Sequence, residues 1–250
     1  MRLTALACVA LTSAFLFRTG ASLAWAGPPF VTDDPEPVEL HHWEVYLASM
    51  EVKTADGRSG TLPHIEINNG IAPNLQFHII LPYAFARAAG QPMQRRYGDT
   101  EIGLKYRFIQ ERRRRPMVGV FPLVEAPTGN PKRGLGSGHF QWFLPVWMQK
   151  SWRAWTSYGG GGYWINPGAG NRNFWLLGWE IQKDLNRHVT LGGELFQTTP
   201  SVAGGRSQLN FNLGGQYNFD DEHHLLLSAG RGTADTRSMG YVAFQWTFGP

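Results

Sequence analysis

Residues 210–219 read Asn210-Phe211-Asn212-Leu213-Gly214-Gly215-Gln216-Tyr217-Asn218-Phe219. Every even position is polar or glycine, and the odd positions are apolar save Gly215. A strand sends successive side chains to opposite faces, so this ribbon has one apolar side and one polar side. A soluble sheet alternates in the same way. Two further features turn the reading toward a transmembrane β-barrel: the pattern recurs along the chain behind an export signal, and many apolar positions are Trp, Phe or Tyr.

Beyond this stretch, Leu75, Phe77, Ile79, Leu81, Tyr83 and Phe85 share one face, as do Ile102, Leu104, Tyr106 and Phe108. Phe140 to Met148, Trp175 to Ile181 and Val189 to Leu195 repeat the alternation. The last strand carries Val242, Phe244, Trp246 and Phe248, the aromatic-ended pattern of a barrel assembly signal, followed here by Gly249 and Pro250. Weaker strands are expected at 42–53, 62–72, 117–126, 153–165 and 224–232. With 206–219 the expectation is an all-β, antiparallel up-and-down barrel of about 12 strands, each near the ~10 residues that a tilted crossing needs.

Connections fit that count. Short turns are expected at Pro73-Asn74, Gln110 to Pro116, Ser151-Trp152, Asp184 to Arg187 and Asp220 to His223. Longer connections are expected at 54–61, 86–97, 127–138, 166–172, 199–205 and 231–237. Short periplasmic turns opposite longer outer loops are the habit of such barrels, with both termini on the periplasmic side.

The chain begins with Met1-Arg2, an apolar run from Leu3 to Phe17, and Ala24-Trp25-Ala26 before Gly27. This reads as a signal peptide over 1–26, with the barrel over 27–250. A retained anchor helix is the alternative; Arg18 and the shortness of the run disfavour it. The one cysteine, Cys8, lies in that signal, so the mature chain is expected to hold no disulfide, thiolate site or cysteine nucleophile. Removing Arg2 and Arg18 from the 23 Lys and Arg leaves 21 against 19 Asp and Glu. That balance gives no reason to expect a nucleic-acid partner. The soluble alternative is a secreted β-sandwich or lipocalin-like barrel, with the aromatics as core.

The lumen-facing set is expected to include Glu44, His64, Glu66, His78, Glu101, Lys105, Arg107, Glu125, Glu180, Glu194, Asn210 and Asn212. Glu66, Glu101, Glu180 and Glu194 are expected to be hydrated or bonded to Lys105 and Arg107, because unpaired charge in a narrow lumen is costly. Tyr46, Met50, Phe121, Leu123, Phe143, Trp147 and Phe196 share the inner face, a mixture suited to small amphipathic or aromatic solutes. No Gly-x-Ser-x-Gly elbow occurs, so no catalytic residue is expected; His64, His78 and Glu66 could approach across a hairpin to bind a metal or shuttle protons, but hydrogen bonding to carboxylates is the preferred reading, and no metal or cofactor is expected. His41-His42, His223-His224 and Arg112 to Arg115 read as solvated ends and turns.

Thr32-Asp33-Asp34-Pro35, Tyr97-Gly98-Asp99-Thr100-Glu101-Ile102-Gly103-Leu104-Lys105-Tyr106-Arg107-Phe108 and Glu125-Ala126-Pro127-Thr128-Gly129 resemble segments of the outer-membrane transporters of the meta-pathway phenol-degradation-like family. The resemblance runs from about residue 30 to the C-terminus. It implies a barrel passing small, hydrophobic or aromatic compounds, and it assigns no site residues. The expectation is a monomeric protein of the bacterial outer membrane, admitting small molecules passively. Its partners would be membrane lipids and lipopolysaccharide, the outer-membrane assembly machinery and the permeant. A barrel enzyme acting on lipids and a structural barrel without transport are the alternatives.

Overall fold

The computed structural model describes residues 27–250; the expected signal peptide lies outside the described residues. Twelve antiparallel strands form the wall: β1 (Trp43–Thr54), β2 (Gly57–Ala72), β3 (Leu75–Ala88), β4 (Gln94–Tyr97 and Thr100–Ile109), β5 (Met117–Val120 and Leu123–Ala126), β6 (Gln141–Trp152), β7 (Trp155–Ile165), β8 (Phe174–Asn186), β9 (Val189–Thr198), β10 (Gln208–Asn218), β11 (His223–Gly232) and β12 (Thr236–Phe248). Each pairs with the next, and β1 closes on β12 from Trp43↔Phe248 to Thr54↔Thr236. Closure removes the open edges of the sheet, save at Gln94–Tyr97, which pairs with β3 alone. β4 and β5 are each interrupted once, at Gly98-Asp99 and at Phe121-Pro122, where Pro122 has no N–H for the ladder.

The outer surface is apolar. Leu47, Ile65, Leu104, Leu144, Val146, Leu177, Leu195, Leu213, Leu227 and Val242 are all exposed around the middle of the wall. Trp43, Trp152, Trp155, Tyr217, Phe219 and Trp246 ring the short-turn end, and Tyr83, Tyr97, Phe140, Trp142 and Trp175 ring the other. Soluble proteins do not expose an apolar surface that encircles the molecule. An aliphatic band between two aromatic belts is the surface that a bilayer solvates. This excludes the soluble sandwich, whose aromatics would face inward.

Three connections expected to be long are short, among them 231–237, where β11 runs to Gly232 and β12 starts at Thr236. β1 runs to Thr54 and β2 starts at Gly57, so the expected loop 54–61 is a turn of two residues. β3 continues to Ala88 and β4 starts at Gln94, which shortens 86–97 in the same way. Strand pairing continues past the aromatic belt, where the side chains turn polar and the sequence loses its strand signature. The turn expected at Ser151-Trp152 falls two residues later, at Arg153-Ala154, with Arg153 at φ 56.

Residues 27–42 precede the wall; 27–38 run inside it, and Glu39, Leu40 and His41 are exposed at its rim. Phe30, Val31, Thr32 and Asp33 are at most 1 % exposed.

Candidate functional site

The lumen is built from alternate residues of all twelve strands, and two sectors differ in chemistry. From β5 to β9 the inner face carries Phe121, Leu123, Phe143, Trp147, Trp164, Phe174, Leu176 and Phe196, all buried. Trp164 stacks between Phe143 and Phe174, with ring centroids 4.8 and 5.9 Å away. From β1 to β4 the inner face is polar: Tyr46, His64, Glu66, Asn68, His78, Glu101 and Lys105.

In the polar sector His78 is the hub. Its Nε2 lies 2.9 Å from Glu101 Oε1 and its Nδ1 2.6 Å from Asn68 Oδ1. Asn68 Nδ2 donates to Glu66 Oε1 at 2.9 Å, which fixes the orientation of the amide. Both ring nitrogens therefore face oxygens. Glu66 Oε1 is 3.6 Å from the same ring. His64 contacts Thr61 Oγ1 at 2.6 Å through Nδ1. Glu44 accepts from Tyr46 Oη at 2.8 Å, and Tyr46 Oη accepts from Gln245. Glu125 is buried and stands directly opposite Glu101 in the ladder.

Across the lumen Glu180 and Glu194 are register partners, as are Glu194 and Asn212. Asn212 Nδ2 donates to Glu194. Neither carboxylate oxygen of Glu180 has a hydrogen-bond partner among the described residues, although the residue is fully buried. Asn210 is buried one register step along, opposite Phe196.

The N-terminal segment occupies the space between these walls. Glu194 accepts the backbone N–H groups of Val31 and Thr32, both at 2.8 Å. Ser228 Oγ donates to the Pro29 carbonyl. Lys105 Nζ is 3.0 Å from Asp33 and 3.7 Å from Asp34. Arg107 reaches Glu36 at 3.7 Å and donates to Asn74 from Nε and Nη2. Gln149 donates to Glu36, and Gln76 accepts the Val38 N–H. Burial pushes the Asp33 carboxyl up to about 7, against the pull of Lys105.

Lys105 and Arg107 thus do not serve the wall glutamates, which was one of the two arrangements expected from the sequence. Lys105 and Arg107 hold Asp33, Asp34 and Glu36 of the segment, while Glu66 and Glu101 are served by Asn68 and His78. The twelve lumen residues read from the sequence divide accordingly. Glu66, His78 and Glu101 join one polar network through Asn68, with His64 and Glu125 beside it, while Glu44 accepts from Tyr46 in a separate chain of bonds. Lys105, Arg107 and Glu194 grip the segment, Asn212 supports Glu194, and Glu180 and Asn210 face the remaining space.

The segment itself was missed because it has no periodicity: Pro28, Pro29, Pro35 and Pro37 fall within ten residues. A signal lay elsewhere, in glycines on the inner face. A Cβ at Gly178 would lie 2.1 Å from Thr32 Oγ1, one at Gly119 3.0 Å from Pro35 Cβ, and one at Gly70 1.9 Å from the Glu39 carbonyl. Three strands give up a side chain where the segment passes.

The chain matches no protein-family model and no curated protein. Solved structures resemble it in fold. The COG4313 outer membrane channel from Pseudomonas putida F1 superposes with a TM-score of 0.74 at 12% identity, over 86% of this chain and 98% of that one. The KdgM porin gives 0.57 at 12% identity, over 82% and 99%. The NanC porin gives 0.56 at 7% identity, over 82% and 99%. The fold is that of outer-membrane channels.

Proposed function

We propose that this chain is an outer-membrane channel for the passive entry of small solutes, with the N-terminal segment setting its aperture. The observation that carries the reading is the filling of the lumen. A segment held by hydrogen bonds and ion pairs, rather than by strand pairing into the wall, lies among the lumen-facing side chains where a permeant would have to pass. Porins and channels of the same fold support passive transport. The aromatic sector around Phe143, Trp147 and Trp164 favours hydrophobic or aromatic solutes, as does the resemblance to phenol-degradation-like transporters. The loop-bearing end faces outward and the short turns face the periplasm. The aromatic last strand serves recognition by the assembly machinery.

Flux into liposomes tests this reading. The mature protein should admit small neutral aromatics slowly, and deletion of residues 27–38 should raise the rate for them and for small sugars. A deletion variant that folds, inserts and stays impermeant would establish a structural barrel. Hydrolysis of the vesicle lipids would move the reading to the barrel enzyme.

A further inference from the structure

At the loop-bearing end the outer surface of the wall changes character on one side only. Strand register places Lys53 directly opposite Arg58, and Arg58 directly opposite Arg87. Arg95 pairs with Phe85, two residues before Arg87 and on the same face. Arg231 pairs with Phe211, an outward position on β10. Arg237 is exposed at the bulge of β12 beside Lys53. Cations thus stand on six consecutive strands, β11, β12 and β1 to β4. Neighbouring strands lie about 4.8 Å apart, so the row spans roughly 24 Å of the perimeter. On the other half, the same end presents Phe140, Trp142, Trp175 and Leu209.

Like charges directly opposite each other on paired strands are destabilising. Here three stand in succession, and among the described residues one ion pair reaches them, Glu51 to Arg58 at 3.5 Å. Arg58 Nε is shielded from water and has no hydrogen-bond partner among the described residues. The row also faces away from the lumen, at the level where the aromatic belt of Tyr83 and Tyr97 ends. What reaches that surface in a bilayer is the headgroup layer. Guanidinium groups bind phosphate with paired, charge-assisted hydrogen bonds, and a bridging phosphate removes the repulsion between neighbouring cations.

We propose that this half of the outer rim is a binding surface for the phosphate groups of the glycolipid in the outer leaflet. The lipid seats across β1, β2 and β3, with Lys53, Arg58 and Arg87 as its central contacts. The proposal rests on the outward orientation of the loops but not on transport: a barrel that never conducts would still bind.

The test is the thermal midpoint of the purified mature barrel in neutral detergent, with micelles containing lipid A or the same lipid stripped of its phosphates. The phosphorylated lipid should raise the midpoint, with an effect that shrinks as salt is added. In Arg58→Gln with Arg87→Gln, the apparent affinity should fall by about tenfold or more. Arg112→Gln with Arg114→Gln, at the opposite end, should leave it unchanged. Glu51→Gln removes the competing carboxylate and should tighten binding, which keeps the proposal testable if the double arginine variant does not fold. Equal stabilisation by the dephosphorylated lipid, equal loss in the Arg112 and Arg114 variant, or no tightening in Glu51→Gln would overturn it. Competition by inorganic phosphate at the lipid's own concentration would show a free-anion site and would overturn it too.

Discussion

Truncating Glu194 to Ala should release the N-terminal segment while leaving the wall intact. Glu194 is the sole carboxylate that receives the Val31 and Thr32 N–H groups, and these two residues are 1 % and 0 % exposed. In the truncated protein both donors stay buried and lose their acceptor. Each costs about 1–3 kcal/mol when docked and nothing when the segment is hydrated. The docked state therefore loses about 2–6 kcal/mol, and even the lower bound shifts its equilibrium about thirtyfold, at 1.4 kcal/mol per factor of ten. The wall should not suffer, because Glu194 stands opposite the unpartnered Glu180 and its removal relieves that repulsion. In planar bilayers, Glu194→Ala should show larger or more frequent openings than the parent. Glu194→Gln, which keeps one acceptor oxygen, should fall between them. Unchanged conductance in a Glu194→Ala barrel that still shows heat-modifiable migration would refute the claim that these bonds hold the segment.

Other outcomes follow from the same geometry. Glu180→Gln, which removes a buried carboxylate with no partner, should raise the unfolding midpoint in urea rather than lower it. Leu213→Arg, at the most exposed apolar position of β10, should cost about 2–4 kcal/mol of folding stability in lipid; a neutral result would argue against a membrane-facing surface. Cysteines at Gln91 and Lys132 should label in whole cells with an impermeant thiol reagent, and one at Arg113 should not; the reverse pattern would invert the topology.

Much of the wall was legible because two-residue periodicity reports directly on a two-faced strand. The run from Gln141 to Gln149 alternates between buried and exposed at every step, as its sequence does. Periodicity failed where polar groups occupy both faces. Arg58 and Arg87 continue two strands beyond the aromatic belt, yet they read as loop. The inward identity of Glu66, His78, Glu101, Glu180 and Glu194 could be read from their neighbours; their partners could not. Lys105 meets Asp33 across 72 residues, and Glu194 meets Val31 across 163, in a segment that carries no strand signature. No spacing rule reaches that far. Only the missing side chains at Gly70, Gly119 and Gly178 hinted that something fills the lumen.

The central claim is that residues 27–38 control the pore from inside it. Cysteines at Thr32 and Gly178 offer the most direct test. Thr32 Cβ lies 3.1 Å from where a Cβ on residue 178 would stand, within a small shift of the separation of about 3.5–4.5 Å that a disulfide needs. The one native cysteine lies in the expected signal peptide, so the pair can be oxidised without competition. With the disulfide formed, single channels in planar bilayers should remain at their lowest conductance, and reduction should restore openings in the same recording. Equal conductance before and after reduction would contradict the account.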